Sequence, residues 1–330
     1  MSPAIEVRGL TKHFGNVKAV DALSFEVAEG RVTGFLGPNG SGKTTTLRML
    51  LGLVFPSAGS ATFDGTAYHD LDQPLRYVGA VLEATSFHPS RRAADHLRTV
   101  ALAGRLPLSQ IDRVLEVVGL ADVAHRRVGA FSLGMRQRLE LATALLGDPR
   151  VLILDEPANG LDPQGIQWLR TLIRHQASLG RAVLVSSHLL SEMEETVDDV
   201  VIISEGRLVL QTTLAQLAHA TGTRAGMRVR TPEVARLSTV LAGLGVASRQ
   251  VGSDELVVDG ATPEWLGPVL AQAQIVVYEL TRQQNRLEEV FLGLTQGGPS
   301  VATEGPSVAT EGGPDVPAGS TPSAAPGPPS

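Results

Sequence analysis

Residues 37–44 read Gly37-Pro38-Asn39-Gly40-Ser41-Gly42-Lys43-Thr44, and Thr45 follows. The pattern is a glycine, four residues, then glycine, lysine and a hydroxyl residue, the spacing of a phosphate-binding loop. Its glycines permit backbone conformations that turn successive N–H groups inward, where they can surround phosphate oxygens. The N-terminus of a following helix adds its dipole. Lys43 is placed to reach the β- and γ-phosphates, and the Thr44 hydroxyl is placed to reach Mg²⁺. Context agrees: the apolar run 32–36 precedes the loop, and residues 44–53 follow at helical spacing.

A second stretch answers the first. Val151-Leu152-Ile153-Leu154 is wholly apolar, as expected of a strand covered on both faces, and it ends in Asp155-Glu156. Adjacent carboxylates at the edge of a buried strand are costly without a cation or another partner. With a magnesium-bound nucleotide they gain one. Asp155 would hold the metal, and Glu156 would polarise the water that attacks the γ-phosphate.

Around these stretches the pattern of elements is legible. Runs at 5–10, 19–27, 32–36, 61–63 and 77–82 read as strands, with Gly15-Asn16 and Glu29-Gly30 as turns. Residues 92–146 read as mostly helical, with Leu97, Val100, Leu115, Val118 and Leu139 on apolar faces. A helix over 163–179, a strand over 182–186, a helix over 189–196 and a strand over 200–203 follow. That alternation predicts a parallel sheet. Glu205-Gly206-Arg207 predicts a hairpin turn into 208–210. A change of composition near 221–224 divides a body over 4–222 from a small α+β region over 225–295. Residues 296–330 are rich in Gly, Pro, Ser, Thr and Ala and repeat Gly-Pro-Ser-Val-Ala-Thr-Glu at 298–304 and 305–311. Such a segment cannot bury enough apolar surface to fold, so a disordered tail is expected.

Composition bounds the rest. The chain of 330 residues is 43% hydrophobic but only 4% aromatic, so aliphatic side chains must fill its core. A net charge of −6 offers no basic excess for a nucleic-acid surface. Cysteine is absent, which excludes disulfides and thiolate metal sites. The N-terminus has neither the basic nor the apolar region of a signal peptide. No apolar run approaches the roughly 18 residues of a spanning helix. Any work at a membrane is expected to go through a partner.

Three further segments fall in order around the two stretches. Phe131-Ser132-Leu133-Gly134-Met135-Arg136-Gln137-Arg138 precedes the Asp-Glu strand, Asn159-Gly160-Leu161-Asp162-Pro163 follows it, and Ser187-His188 closes the next strand. Together they resemble the signature, D-loop and switch histidine of ABC-type ATPases, over about residues 4–220. The resemblance implies a P-loop NTPase α/β fold of ABC ATPase type. It comprises a mostly parallel sheet core, an antiparallel β subdomain and a helical subdomain at about 86–146. The small C-terminal α+β region and the tail are added to it.

The resemblance also implies ATP hydrolysis with Mg²⁺ at a seam between two ATPase subunits, alike or different. A multispanning membrane permease would be driven from the cytoplasmic face. Gly37 through Thr45 would cradle the nucleotide, and Phe14 resembles the aromatic that stacks on adenine, with core packing as its alternative. Ser132, a good helix N-cap, would donate to the γ-phosphate across the dimer beside Gly134. Asp162 would link the two sites, and His188 would contact the γ-phosphate and orient Glu156.

Two residues depart from the family pattern. Glu83 stands where Gln is usual; it can approach Mg²⁺ but does not donate when ionised, so altered metal affinity or slower turnover is expected, with a coupling-loop residue that makes no metal contact as the alternative. Met135 replaces the signature's Gln. With the run 132–138 and the ending at 287–292, these features resemble the bacitracin and daunorubicin resistance subgroup of bacterial exporters. A soluble ABC ATPase acting on ribosomes or DNA is the alternative. The single phosphate loop and the lack of sustained heptads weigh against it.

Overall fold

The computed structural model describes residues 3–82, 87–220 and 226–282. Strands β1 (Ile5–Phe14), β2 (Val17–Val27) and β3 (Val32–Leu36) lead into helix α1 (Lys43–Leu50) and strand β4 (Ala58–Phe63). A single helical turn, α2 (Pro74–Tyr77), precedes β5 (Val78–Val81). Then come α3 (Ala93–Ala103), α4 (Gln110–Val117) and α5 (Leu133–Leu145), followed by β6 (Val151–Leu154), α6 (Pro163–Ser178) and β7 (Ala182–Ser187). The expected long helical region is thus three helices, broken where Gly104, Pro107 and Gly119 interrupt the pattern.

Strands β8 (Asp199–Ser204) and β9 (Arg207–Thr213) complete the central sheet, and α7 (Leu214–Ala220) follows. The sheet order is β5-β6-β7-β3-β8-β9, parallel throughout except for the β8–β9 hairpin. Its two-residue turn, Glu205-Gly206, has both φ angles positive (49° and 78°), as a tight hairpin matching strand twist requires.

Period-2 geometry divides the apolar strands between two cores. Val151 and Ile153 face the antiparallel sheet β2-β1-β4, where Phe25 stacks on Phe35 with ring centroids 5.2 Å apart. Leu152 and Leu154 face the opposite way, into the core shared with α3, α4, α5 and α6. Both faces of β6 are covered, which is why its sequence shows no alternation.

One expected helix is missing. Residues 191–196 form successive hydrogen-bonded turns. Glu194 N–H reaches the Leu190 carbonyl at 3.1 Å and Val197 N–H reaches Met193 at 3.0 Å, but no helix propagates. The Ser187 hydroxyl accepts from Leu189 N–H at 3.1 Å and donates to the Glu192 carboxylate at 2.9 Å, offering this stretch side-chain bonds in place of a helical ladder.

The C-terminal region contains β10 (Gly226–Arg230), α8 (Val234–Gly243), β11 (Ser248–Gln250), β12 (Glu255–Asp259), α9 (Pro263–Gln272) and β13 (Glu279–Arg282). Its order β11-β12-β10-β13, every pair antiparallel, is the split βαβ arrangement of ferredoxin-like folds. Met227, Val229, Leu256 and Val258 pack against Leu237, Leu241, Leu266 and Leu270. The ending at 287–292 and the tail at 296–330 lie outside the described residues.

Candidate nucleotide site

Loop 37–42 leaves the C-terminal end of β3, a central strand, where open α/β sheets place ligands. Its glycines are required by close approach. A Cβ on Gly37 would stand 2.4 Å from the Ile203 carbonyl oxygen. Gly42 has φ 101°, and a Cβ there would stand 2.6 Å from the Ala19 oxygen. The hairpin turn 205–206 braces the loop from one side. Gly206 N–H donates to the Ser41 carbonyl at 3.0 Å, and the Gly206 carbonyl accepts from Asp21 N–H at 2.9 Å. Lys18 and Arg207 both donate to the Asp21 carboxylate and hold its pKa below the usual range.

Lys43 opens α1 with only 6% of its side chain exposed. Its Nζ donates to the Gly37 carbonyl at 2.7 Å and stands 3.5 Å from Glu156 Oε1. Thr44 Oγ1 donates to Asp155 Oδ2 at 2.8 Å. The other Asp155 oxygen accepts from Ser186 Oγ at 2.5 Å, and that same hydroxyl oxygen accepts from Glu156 N–H at 2.9 Å. Glu156 sits at φ 46°, in the left-handed region that a side chain adopts only under constraint. Its Oε2 lies 3.0 Å from His188 Nδ1. Strands β3, β6 and β7 thus bring together at one sheet end the cation, both acids and the histidine picked out in the sequence.

Lys43, Thr44, Glu156 and His188 open onto a cleft of about 440 Å³, while Asp155 is buried and is not part of its wall. Asn39, Gly40, Gly42, Lys43, Thr44 and Thr45 line one side, with Glu156, Asn159 and His188 opposite and Ala19 at the edge. Pro38 and Ser41 belong to the loop but not to the cleft wall, Ser41 being buried. Phe14 is not a core residue: at the β1–β2 tip it is 51% exposed, with Lys12 Nζ 5.1 Å from its ring centroid. Glu83 lies outside the described residues.

Known proteins are similar to this chain in sequence and in fold. A family model described as "ABC transporter" matches residues 20–159. The bacitracin transport ATP-binding protein BcrA of Bacillus licheniformis is 46% identical over 212 residues, 63% of this chain and 69% of that protein. The uncharacterized ABC transporter ATP-binding protein YhcH of Bacillus subtilis (strain 168) is 38% identical over 89% of this chain and 97% of its own length. This chain belongs to the ABC transporter ATP-binding family.

Among solved structures, an ATP-binding subunit of an ABC transporter superposes with a TM-score of 0.61 at 28% identity, over 66% of this chain and 93% of that one. The cbiO1 protein of Clostridium perfringens gives 0.59 at 26%, over 66% and 92%. A second family model, a domain of unknown function, matches residues 225–288. The expected ABC ATPase fold is therefore borne out, as are the ATPase activity and the resemblance to the bacitracin-type subgroup.

In this ABC ATPase the signature lies apart from the cleft of its own chain. Ser132 caps α5, its Oγ accepting from Met135 N–H at 3.2 Å, and it is exposed. Leu133 beside it is exposed as well. A Cβ on Gly134 would meet nothing closer than Leu161 Cδ2 at 3.7 Å, so packing within the chain does not explain that glycine. Asp162 caps α6, its Oδ1 accepting from Gly165 N–H at 2.7 Å, and it too is exposed. Met135 is half-buried against the helical core, where a thioether suits better than the family's amide.

Sequence reasoning missed Ser186. The signal was present, since a wholly buried strand rarely ends in two serines without partners for them. Ser186→Ala would leave a buried Asp155 oxygen and the Glu156 N–H unpaired. Unfolding free energy should fall by about 1–3 kcal/mol. ATP turnover should fall about 10-fold as Glu156 loses its backbone anchor. Urea denaturation and steady-state phosphate release would read both.

Proposed function

We propose that this chain is the nucleotide-binding subunit of a transporter, and that two such subunits close around two ATP molecules to drive a separate membrane-embedded permease. The supporting observation is the placement of Glu156 between Lys43 Nζ at 3.5 Å and His188 Nδ1 at 3.0 Å, at the wall of the phosphate-loop cleft. That carboxylate is positioned to accept the proton of a water attacking the γ-phosphate. Lys43 and the loop N–H groups would hold the β- and γ-phosphates. His188 would fix the direction of the Glu156 carboxylate.

Thr44 and Asp155 fit Mg²⁺. The Thr44 hydroxyl lines the cleft and is bonded at 2.8 Å to the Asp155 carboxylate, and both are hard oxygen donors of the kind Mg²⁺ takes alongside nucleotide phosphates. Among the described residues no cluster of three or more His, Cys, Asp or Glu forms an all-protein metal cage, which also suits a metal shared with the nucleotide. When bound, Mg²⁺ would neutralise charge developing on the phosphates.

The exposed caps Ser132 and Asp162 supply the argument for pairing. Each helix N-terminus favours an anion, and neither lines the cleft of its own chain. A second subunit, identical or related, would present them to the ATP held here. No described helix is long and apolar enough to cross a membrane. The kinship with transport ATP-binding proteins supports a permease on a separate chain, with this one working on its cytoplasmic face. Kinship with bacitracin and lantibiotic transport ATP-binding proteins supports export of an antibiotic or peptide. Residues 4–222 would form the motor, 225–295 an α+β accessory region and 296–330 a tail.

Purification of the tagged chain from its native membranes in mild detergent tests this reading. A multispanning protein should co-elute, and peptide antibiotics should raise the ATPase rate of the pair. Recovery with ribosomes and no membrane protein would overturn it.

A further inference from the structure

His188 is followed by residues that no helix holds in place, yet the proposed chemistry needs its ring fixed against Glu156. Buried Leu190, Met193 and Val197 anchor the inner side of the turns. Three polar contacts fix the outer side. Ser187 Oγ donates to the Glu192 side chain at 2.9 Å. From α6, Arg170 donates through Nη2 to the Glu192 backbone carbonyl at 3.2 Å and through Nη1 to the Glu195 carboxylate.

The Glu195 arm alone would matter little, because that carboxylate is 73% exposed and water screens the pair. The backbone arm is different in kind. It fixes a main-chain carbonyl four residues after His188 on a segment with no helical ladder. The planar guanidinium serves both arms at once, which a lysine ammonium on a flexible stem cannot reproduce. Helix α6 starts at the Asp162 cap and carries Arg170 eight residues on, about 12 Å along a rigid rod.

We infer that Arg170 is a positioning residue for the reaction, clamping the turns after β7 so that His188 keeps its bond to Glu156. The inference rests on the role given to His188 and Glu156 above. It makes Arg170 act through His188, with no contact of its own to the nucleotide.

A double-mutant cycle on the full-length chain tests this. Arg170→Met keeps the aliphatic stem and removes both arms. Its ATP turnover should fall about 10-fold. Its KM for ATP should stay within about 2-fold, since the phosphate loop is untouched. His188→Ala should lose about 100-fold. Adding Arg170→Met to His188→Ala should change turnover by less than about 2-fold, because the positioned group is already gone. Independent, multiplying losses in the double variant would overturn the inference, and so would a raised KM with unchanged kcat. Full turnover in His188→Ala alone would sink the catalytic reading beneath it, an outcome distinct from multiplying losses. Should Arg170→Met fail to fold, Arg170→Lys takes its place in the same cycle, with the same non-additivity expected.

Discussion

Glu156→Gln is expected to lower ATP turnover by about 100- to 1000-fold while leaving nucleotide affinity within a few fold of the parent. The substitution is nearly isosteric. The amide can still meet His188 Nδ1 across the 3.0 Å gap, and the backbone anchor from Glu156 N–H to Ser186 is untouched. What is lost is the anionic acceptor proposed for the proton of the attacking water. Affinity should hold or rise slightly, because a negative charge leaves the wall facing the γ-phosphate. Lys43, relieved of its 3.5 Å neighbour, is freer to turn toward phosphate.

The consequence reaches beyond one subunit. If closure is driven by ATP and undone by hydrolysis, a chain that binds but does not hydrolyse should accumulate closed pairs. Light scattering with ATP should report about twice the monomer mass for Glu156→Gln and mostly monomer for the parent. Equilibrium binding and phosphate release complete the measurement. Parental turnover in the variant would remove Glu156 from the chemistry.

The parts of this site that could be read from sequence are those in which a chemical demand fixes residue type and spacing together. The loop 37–44 is one, since only glycine tolerates φ 101° with a carbonyl 2.6 Å from its would-be Cβ. Asp155-Glu156 is another, because two acids ending the buried strand β6 require a partner. Ser186 and Arg170 escaped because their importance comes from what they face. A serine in β7 becomes the brace of Asp155 only once β6 and β7 lie side by side, and nothing local announces that pairing. The turns after His188 read as a helix because their apolar spacing is helical; side-chain bonds from Ser187, set by tertiary placement, decide otherwise. The C-terminal region was legible as α+β, but its β11-β12-β10-β13 order depends on crossovers that periodicity does not encode.

Lys43→Ala should abolish useful nucleotide binding, weakening affinity by at least about 100-fold, or ~3 kcal/mol. The side chain is almost wholly enclosed, so its charge meets phosphate with little competition from water. Its Nζ is held by the Gly37 carbonyl at 2.7 Å, at the mouth of the loop whose N–H groups would meet the same phosphates. Removing it also leaves Glu156 facing the γ-phosphate without a compensating positive charge.

Collapse of the fold would give the same binding result, so stability must be read separately. Alanine is the best helix former and Lys43 is the first residue of α1, so the backbone has no reason to change. Without nucleotide, the melting temperature of Lys43→Ala should lie within a few degrees of the parent. With ATP at about 100 times the parental Kd, the parent should gain ~2.7 kcal/mol of stability. The variant should gain almost none of this. A variant that melts normally and ignores ATP places the cation in the binding step. A variant that still responds to ATP would mean that the loop's N–H groups hold the triphosphate without it, and the electrostatic account of this cleft would have to be rebuilt from the backbone alone.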